Sequence, residues 1–279
     1  MGKLRFYFAL WAAKLSVVAL KVTKRNGTNF PGKLAVKLCP DFLKHIGKPE
    51  FIIAITGTNG KTTTSNMVCD MMEARGERII HNRMGSNIMS GVCTSLIKGA
   101  NLVGKSKYDK GVFEVDERYS VKIYPYFKPD YLIVTNLSRD SLNRNAHPEF
   151  IADLLTDCIP RKTHLVLNGD DLLSCDVAPG NKRAYFALCP MDSDVDECIN
   201  IIDDVKICPK CGGKMIFDYR RYHSVGRAHC DRCDYGSPDP DYYAERVDYD
   251  AMEMTVTDGL NRETFRLMSD SIFNVYNQV

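Results

Sequence analysis

Lys61 and Thr62 close a glycine turn, Gly57-Thr58-Asn59-Gly60, and residues of these types in this order can hold phosphate. Glycines let backbone N–H groups crowd around phosphate oxygens. A lysine ammonium reaches the outer phosphates and a threonine hydroxyl can ligate Mg²⁺. A second grouping is built from cysteine. Cys208-Pro-Lys-Cys211 and Cys230-Asp-Arg-Cys233 are two C-x-x-C knuckles with 18 residues between them. That is the spacing of a structural Cys₄ zinc ribbon, and Gly212-Gly213 fits the tight knuckle turn. A redox pair accounts for one C-x-x-C, but not for two. His229 adjoins a cysteine and is the spare ligand, although four thiolates need no histidine. The third grouping is acidic: Glu114, Asp116 and Glu117 end the run Gly111-Val-Phe-Glu-Val-Asp-Glu117. Carboxylates at the C-terminal end of a strand sit where open α/β sheets bind ligands, and they suit Mg²⁺.

These groups need elements to position them. The apolar run Phe51 to Ile55 predicts a buried strand before the glycine turn. After it, Met67, Val68, Met71 and Met72 predict the apolar face of a helix that stops at Gly76. Strand, glycine turn and helix make a phosphate loop, with the helix N-terminus adding partial positive charge. The strict G-x-x-x-x-G-K-[ST] pattern is not met, because Ile55 stands at its first position. Further strands are expected at 78–81, 111–117, 131–136, 163–168 and 183–188, and a helix from His147 to about Cys158. Gly85 to Gly91 reads as a polar glycine loop. Ala251 to Thr257 alternates, Asp258-Gly259 signals a hairpin, and Phe265 and Leu267 lie on the return strand. Strands alternating with helices argue for an α/β fold: a mainly parallel sheet with helices on both faces, carrying the cysteine ribbon as an insertion at about 200–240.

At the N-terminus, Leu4 to Leu20 is largely apolar but carries Arg5 and Lys14. It is too short and too charged for a membrane span. The nucleotide loop and free thiols that follow argue against a secretory signal built from Lys3, Arg5 and Phe6 to Ala13. Two readings stay open: an amphipathic helix packed on the domain, or an interfacial helix beside a membrane-bound substrate. Asn26 to Gly32 reads as a turn-rich link, and Leu34 to Ile46 as a second helix interrupted at Cys39-Pro40.

The 279 residues suffice for one large or two modest domains, and 26% charged with 44% hydrophobic residues is ordinary for a globular protein. A net charge of +2 gives no bulk attraction for nucleic acid. The ribbon segment holds Arg220, Arg221, Tyr222 and Arg227 but no helix suited to a groove, so nucleic acid is not expected as a partner. Eleven cysteines, an odd number, suit a reducing cytosol.

Thr56-Gly-Thr-Asn-Gly-Lys-Thr-Thr63 resembles the shorter ATP loop of the Mur ligase family. The resemblance continues through Glu114-Val-Asp-Glu117, Thr135-Asn136, Asn168-Gly-Asp-Asp171 and Ser271-Ile-Phe-Asn-Val-Tyr-Asn277. It implies the Mur ligase central domain over 49–279, an N-terminal helical segment over 1–48, and absence of the family's C-terminal domain from these residues. It also implies ATP held by Gly57, Thr58, Asn59, Gly60, Lys61, Thr62 and Thr63, with Asn277 on the adenine side. Mg²⁺ would sit on Thr62 and Glu114, with Lys61 and Glu114 as the catalytic pair. The start of the chain, the ribbon and the E-V-D-E form are similar to the branch of the family that amidates the D-glutamate of lipid II. A GatD-like glutamine amidotransferase subunit supplies ammonia there. In the segment Arg139-Asp-Ser-Leu-Asn143, Ser141 and Asn143 depart from the family pattern, and neither can supply the anionic ligand that a second Mg²⁺ site takes there. His147 reads as a capping or surface residue. Two alternatives stay open: a non-catalytic ATP-binding remnant or scaffold, and an amino-acid-adding Mur or folate-type ligase.

Overall fold

The computed structural model describes residues 2–25, 27–83, 86–138, 147–197 and 203–279. They form two compact units. The first comprises Met1–Thr56, Thr64–Leu132 and Cys158–Thr163. Its elements are α1 (Gly2–Val22), α2 (Phe30–Leu38), α3 (Phe42–His45), β1 (Phe51–Thr56), α4 (Lys61–Ala74, with its first residues in the second unit), β2 (Ile79–His81), α5 (Met89–Gly99), β3 (Lys110–Glu114) and α6 (Ser120–Ile123). The strands run in the order β1-β3-β2, all parallel, with Ile52 and Ile80 both opposite Gly111. Parallel neighbours require helical crossovers, which explains the alternation read from the sequence.

Three local readings change. Phe30, Pro31 and Gly32 open α2 rather than ending a link. Proline is well placed in a first helical turn, where its missing N–H costs nothing. A Cβ at Gly32 would overlap the Ser90 carbonyl, so α2 and α5 approach closely at that glycine. Met89 to Gly91 belong to α5 rather than to a loop. That helix carries Met89, Val92, Cys93, Leu96 and Ile97 at helical spacing, but its first turn lies in the serine- and glycine-rich run up to Gly91, which reads as a loop. In α4 the buried residues are Thr64, Ser65 and Cys69, whereas Met71 is 60% exposed. Small side chains form its inner face, and the larger methionines drew the periodicity to the neighbouring one.

The second unit comprises Gly57–Thr63, Ile133–Asp157 and His164–Val279. Its elements are β4 (Tyr131–Val134, entering at Ile133), α7 (Pro148–Cys158), β5 (His164–Asn168), α8 (Leu172–Cys175), β6 (Arg183–Leu188), β7 (Met215–Tyr222), β8 (Val225–Cys230), β9 (Tyr242–Asp248), β10 (Glu253–Thr257), β11 (Arg262–Arg266) and α9 (Ile272–Gln278). The strand order is β11-β10-β9-β6-β5-β4. β5, β6 and β9 are parallel, and β10 and β11 add antiparallel. Strand β9 was not expected. After β6 the chain makes the cysteine excursion, whose hairpin β7–β8 is a separate sheet. It then returns beside β6 with Phe186 opposite Tyr242. Phe186, Leu188, Val225, Ala244, Met254, Leu267, Val275 and Tyr276 form one buried cluster that ties ribbon, sheet and α9 together.

Candidate functional site

The glycine turn lies in the second unit and is held from below by the segment after β4. Thr58 N–H donates to the Asn136 carbonyl at 2.7 Å, and Thr58 Oγ1 donates to the Ser138 carbonyl at 3.0 Å. Asn59 N–H donates to Asn136 Oδ1, while Asn136 Nδ2 and Thr135 Oγ1 both donate to the Asn59 carbonyl. Gly57 and Gly60 take φ values of +128° and +84°, open to glycine and strained for other residues. Lys61 Nζ curls back and donates to the carbonyls of Gly57 and Thr58. Thr62, in the first turn of the 14-residue helix α4, is exposed. The result is a turn with a helix N-terminus and an ammonium at its rim, the layout that binds phosphate.

Asn277, near the end of α9, lies against this turn. A Cβ at Gly60 would overlap Asn277 Oδ1 and come within 2.9 Å of its Cγ. Asn277 Nδ2 is buried with no hydrogen-bond partner. An unsatisfied donor beside a phosphate loop fits a nucleotide whose acceptors would complete it.

The residue before it, Tyr276, anchors α9. Its hydroxyl donates to Asp170 Oδ2 at 2.6 Å and accepts from Arg221 Nη1 at 2.7 Å. Arg221 also grips Asp194 through two bonds of 2.8 and 2.9 Å and donates to the Cys189 carbonyl. The Arg221 side chain is only 2% exposed and Asp170 is fully buried. Burial works against the charge on Arg221; the Asp194 pair, with Tyr276 and Asp170, more than offsets it and raises the pKa. Asp170 is pushed up by burial, against the Tyr276 and Arg221 contacts. Its neighbour Asp171 is pushed up to about 6 by complete burial, opposed by hydrogen bonds from Ser174, Leu137 and Leu173. Asp171 Oδ2 accepts from Leu137 N–H at 2.6 Å, so the Asn168-Gly-Asp-Asp171 turn fixes the segment that carries Asn136. The sequence marked this turn only by resemblance; the part played by Arg221 gave no signal beyond a basic residue in a ribbon.

Glu114 lies in the first unit, half-buried at the end of β3. Asn87 Nδ2 donates to its Oε1 at 2.9 Å, and Asn82 makes paired bonds with its backbone N–H and carbonyl, each at 2.8 Å. Asn82 and Asn87 went unnoticed in the sequence, where short asparagine side chains read as turn formers. Asp116 accepts N–H bonds from Arg118 and Tyr119, capping a turn, and Glu117 is buried. His147 is exposed just before α7. Arg139 to Asn143, with Ser141 and Asn143, lies outside the described residues.

Cys208, Cys211, Cys230 and Cys233 converge, with all four sulfurs within 4.8 Å of one another. Cys208 and Cys233 sulfurs are 3.6 Å apart, and those of Cys211 and Cys230 3.3 Å. Four sulfurs about 2.3 Å from one ion would be roughly 3.8 Å apart at tetrahedral angles. Backbone N–H groups of Gly213 and Arg232 donate to Cys211 and Cys230 sulfurs, as thiolates require. The group can therefore hold a metal ion. His229 is not part of it and faces Asp218 at 3.2 Å. Beneath the knuckles, Cys208 and Cys230 share a buried cluster with Met215, Tyr235 and Leu172 of α8.

Residues 55–184 match the model of the Mur ligase middle domain. Over 277 residues the chain is 27% identical to "Lipid II isoglutaminyl synthase (glutamine-hydrolyzing) subunit MurT" of Staphylococcus aureus, covering 98% of this chain and 61% of that one. It is 26% identical over 261 residues to the protein of the same name from Streptococcus pneumoniae, covering 90% and 56%. The chain thus spans about three fifths of the length of these relatives. A pseudomurein peptide ligase type C from Methanothermus fervidus shares the fold, with a TM-score of 0.64 at 23% identity over 85% of this chain and 46% of that one. Residues 55–184 are thus similar to Mur ligase middle domains, and the chain is similar to MurT subunits along almost all of its length.

Proposed function

We propose that this chain is the ATP-binding part of a ligase that amidates the α-carboxylate of D-glutamate in lipid II. Phosphoryl transfer from ATP makes an acyl phosphate, and ammonia from a GatD-like glutaminase subunit displaces phosphate. The observation that carries the reading is the loop Gly57–Thr63 with Asn277 seated on Gly60, in a chain similar to MurT along 98% of its length. Lys61 would neutralise charge on the outer phosphates, and backbone N–H groups from Gly60 to Thr63 would orient them, those of Thr58 and Asn59 being bonded to Asn136. Thr62 and Glu114 would hold Mg²⁺, which screens the triphosphate when bound. Catalysis of this kind is mostly positioning and charge stabilisation. The four cysteines would hold a structural Zn²⁺. The domain plan that goes with this is a helical segment over 1–48 and a central domain over 49–279. The reading puts the chain in the cytoplasm, peripheral at the inner face of the membrane where lipid II is presented.

Two measurements test it. Calorimetry should show MgATP binding, weakened by about 1.5–3 kcal/mol in Lys61→Ala, the worth of a charge-assisted contact; equal affinities would remove Lys61 from the site. Lipid II incubated with the ligase of which this chain is the proposed ATP-binding part, the glutaminase subunit, glutamine and MgATP is then examined by mass spectrometry. Carboxamide product supports the reading. An amino-acid adduct would select the amino-acid-adding alternative, and nucleotide binding without product the binding-module alternative.

A further inference from the structure

Helix α1 is apolar on two opposite sides. Phe6, Ala9, Leu10 and Ala13 are buried against the first unit. On the other side Leu4, Phe8, Trp11, Leu15, Val18 and Val22 follow at spacings of four, three, four, three and four. They are between 53% and 83% exposed. A helix that only packs on a domain carries polar residues at such positions. Leu102 and Val103 are also exposed, and Trp11 Nε1 donates to the Leu102 carbonyl at 2.9 Å, so the patch widens there. Its surroundings are basic. Eight of the chain's 37 lysines and arginines, and none of its 35 acidic residues, fall in residues 1–40. Lys3 at one end of α1 and Lys21, Lys24 and Arg25 at the other are exposed.

We infer that the Leu4–Val22 face of α1 docks in the plane of an anionic bilayer surface. Tryptophan, phenylalanine and leucine on one face with basic residues at its margins and ends is the make-up of an interfacial helix. The stripe runs straight for about 27 Å at 1.5 Å per residue, which suits a flat surface. No described helix is long and apolar enough to cross a membrane, so the helix lies on the surface rather than spanning it. Pairing with a second copy fits less well: it would bring two sets of like charges together, with no acidic residue in 1–40 to compensate. The inference deepens the membrane placement proposed above, yet it is read without nucleotide.

Trp11 is the only tryptophan of the chain, so its fluorescence reports on this face directly. Vesicles of phosphatidylglycerol and phosphatidylcholine should shift the emission to the blue and sediment the protein, whereas phosphatidylcholine alone should do so weakly. Salt should release it. Phe8→Ser/Leu15→Ser should weaken vesicle binding about ten-fold or more, and Lys21→Glu/Lys24→Glu should erase the preference for the anionic lipid. Both variants should keep wild-type circular dichroism and MgATP affinity. Absence of any shift, or undiminished sedimentation of the serine variant, would overturn the inference. So would a concentration-dependent dimer that the same substitutions abolish while vesicles bind nothing. A chain that binds vesicles but not MgATP would refute the ligase reading alone; MgATP binding without vesicle binding would refute this one alone.

Discussion

Gly60 and Asn277 are 217 positions apart in sequence and in contact in the fold: the Asn277 carboxamide occupies the space that a side chain on Gly60 would need. The glycine is thus required twice, by its φ of +84° and by its neighbour. Gly60→Ala should strain the turn and push α9 away. A left-handed backbone costs a non-glycine residue on the order of 1–2 kcal/mol. We expect MgATP affinity to fall at least ten-fold in calorimetry. Asn277→Gly in the same chain should recover only the part due to crowding. An alanine variant with unchanged affinity would mean that the turn does not hold the phosphates.

Arg221 carries the ribbon's hold on α9. It joins Asp194, Asp170 and Tyr276, the residue before Asn277. Arg221→Met leaves two buried carboxylates without their cation, a loss of about 3 kcal/mol or more. The thermal midpoint should drop. Affinity for MgATP should drop further than affinity for tripolyphosphate, because the seat of Asn277 is disturbed more than the phosphate turn. Arg221→Lys keeps the charge but not the fork, and should recover stability only in part. Equal losses for the two ligands would reduce Arg221 to a stabilising residue with no bearing on Asn277.

Much of this architecture was legible in the sequence, for reasons that differ from place to place. The Gly57–Thr63 turn and the four cysteines show because their chemistry demands particular residues at fixed local spacing. Strands such as Arg183–Leu188 show because buried parallel strands are short apolar runs. Helix α5 is hidden because the serines and glycines up to Gly91 read as a loop and mask the helical spacing of Met89, Val92, Cys93, Leu96 and Ile97, and α4 reads on the wrong face because its inner residues are small. The contacts of Asn277 with Gly60 and of Arg221 with Tyr276 bridge 217 and 55 positions, and no local pattern records them. Asn82 and Asn87, which hold Glu114, are of a residue type common in any turn.

The cysteine group should be needed for the ribbon's order. Cys208 and Cys230 share their buried cluster with Leu172 of α8, so loss of the ion would loosen that helix as well as the knuckles. Structural zinc supplies on the order of 10 kcal/mol or more to small zinc peptides, and part of this should appear here as stability. Elemental analysis should find one zinc per four-cysteine group. Cys230→Ser/Cys233→Ser should lose the metal and unfold at lower temperature. Full zinc content in that variant would exclude these ligands.

Asp171 should leave a pH signature. Its side chain is fully buried, and burial raises its pKa from 3.8 to about 6 despite the bonds from Ser174, Leu137 and Leu173. In the folded chain the carboxyl therefore holds its proton to higher pH than in the unfolded chain. Between about pH 4 and about pH 6 the native state binds more protons, and by linkage stability falls as pH rises through that window. Other groups titrate there too, so the useful quantity is a difference. Asp171→Asn keeps one of the two acceptor oxygens, that for the Leu137 N–H, gives up the one that the Leu173 N–H uses, and cannot ionise. Its thermal midpoint relative to wild type should rise steadily from pH 4 to pH 6 and then level off. A pH-independent difference would show that Asp171 is ionised throughout and held by its hydrogen bonds. In that case its grip on Leu137, and through it on Asn136 and the Gly57–Thr63 turn, would be that of a charged acceptor.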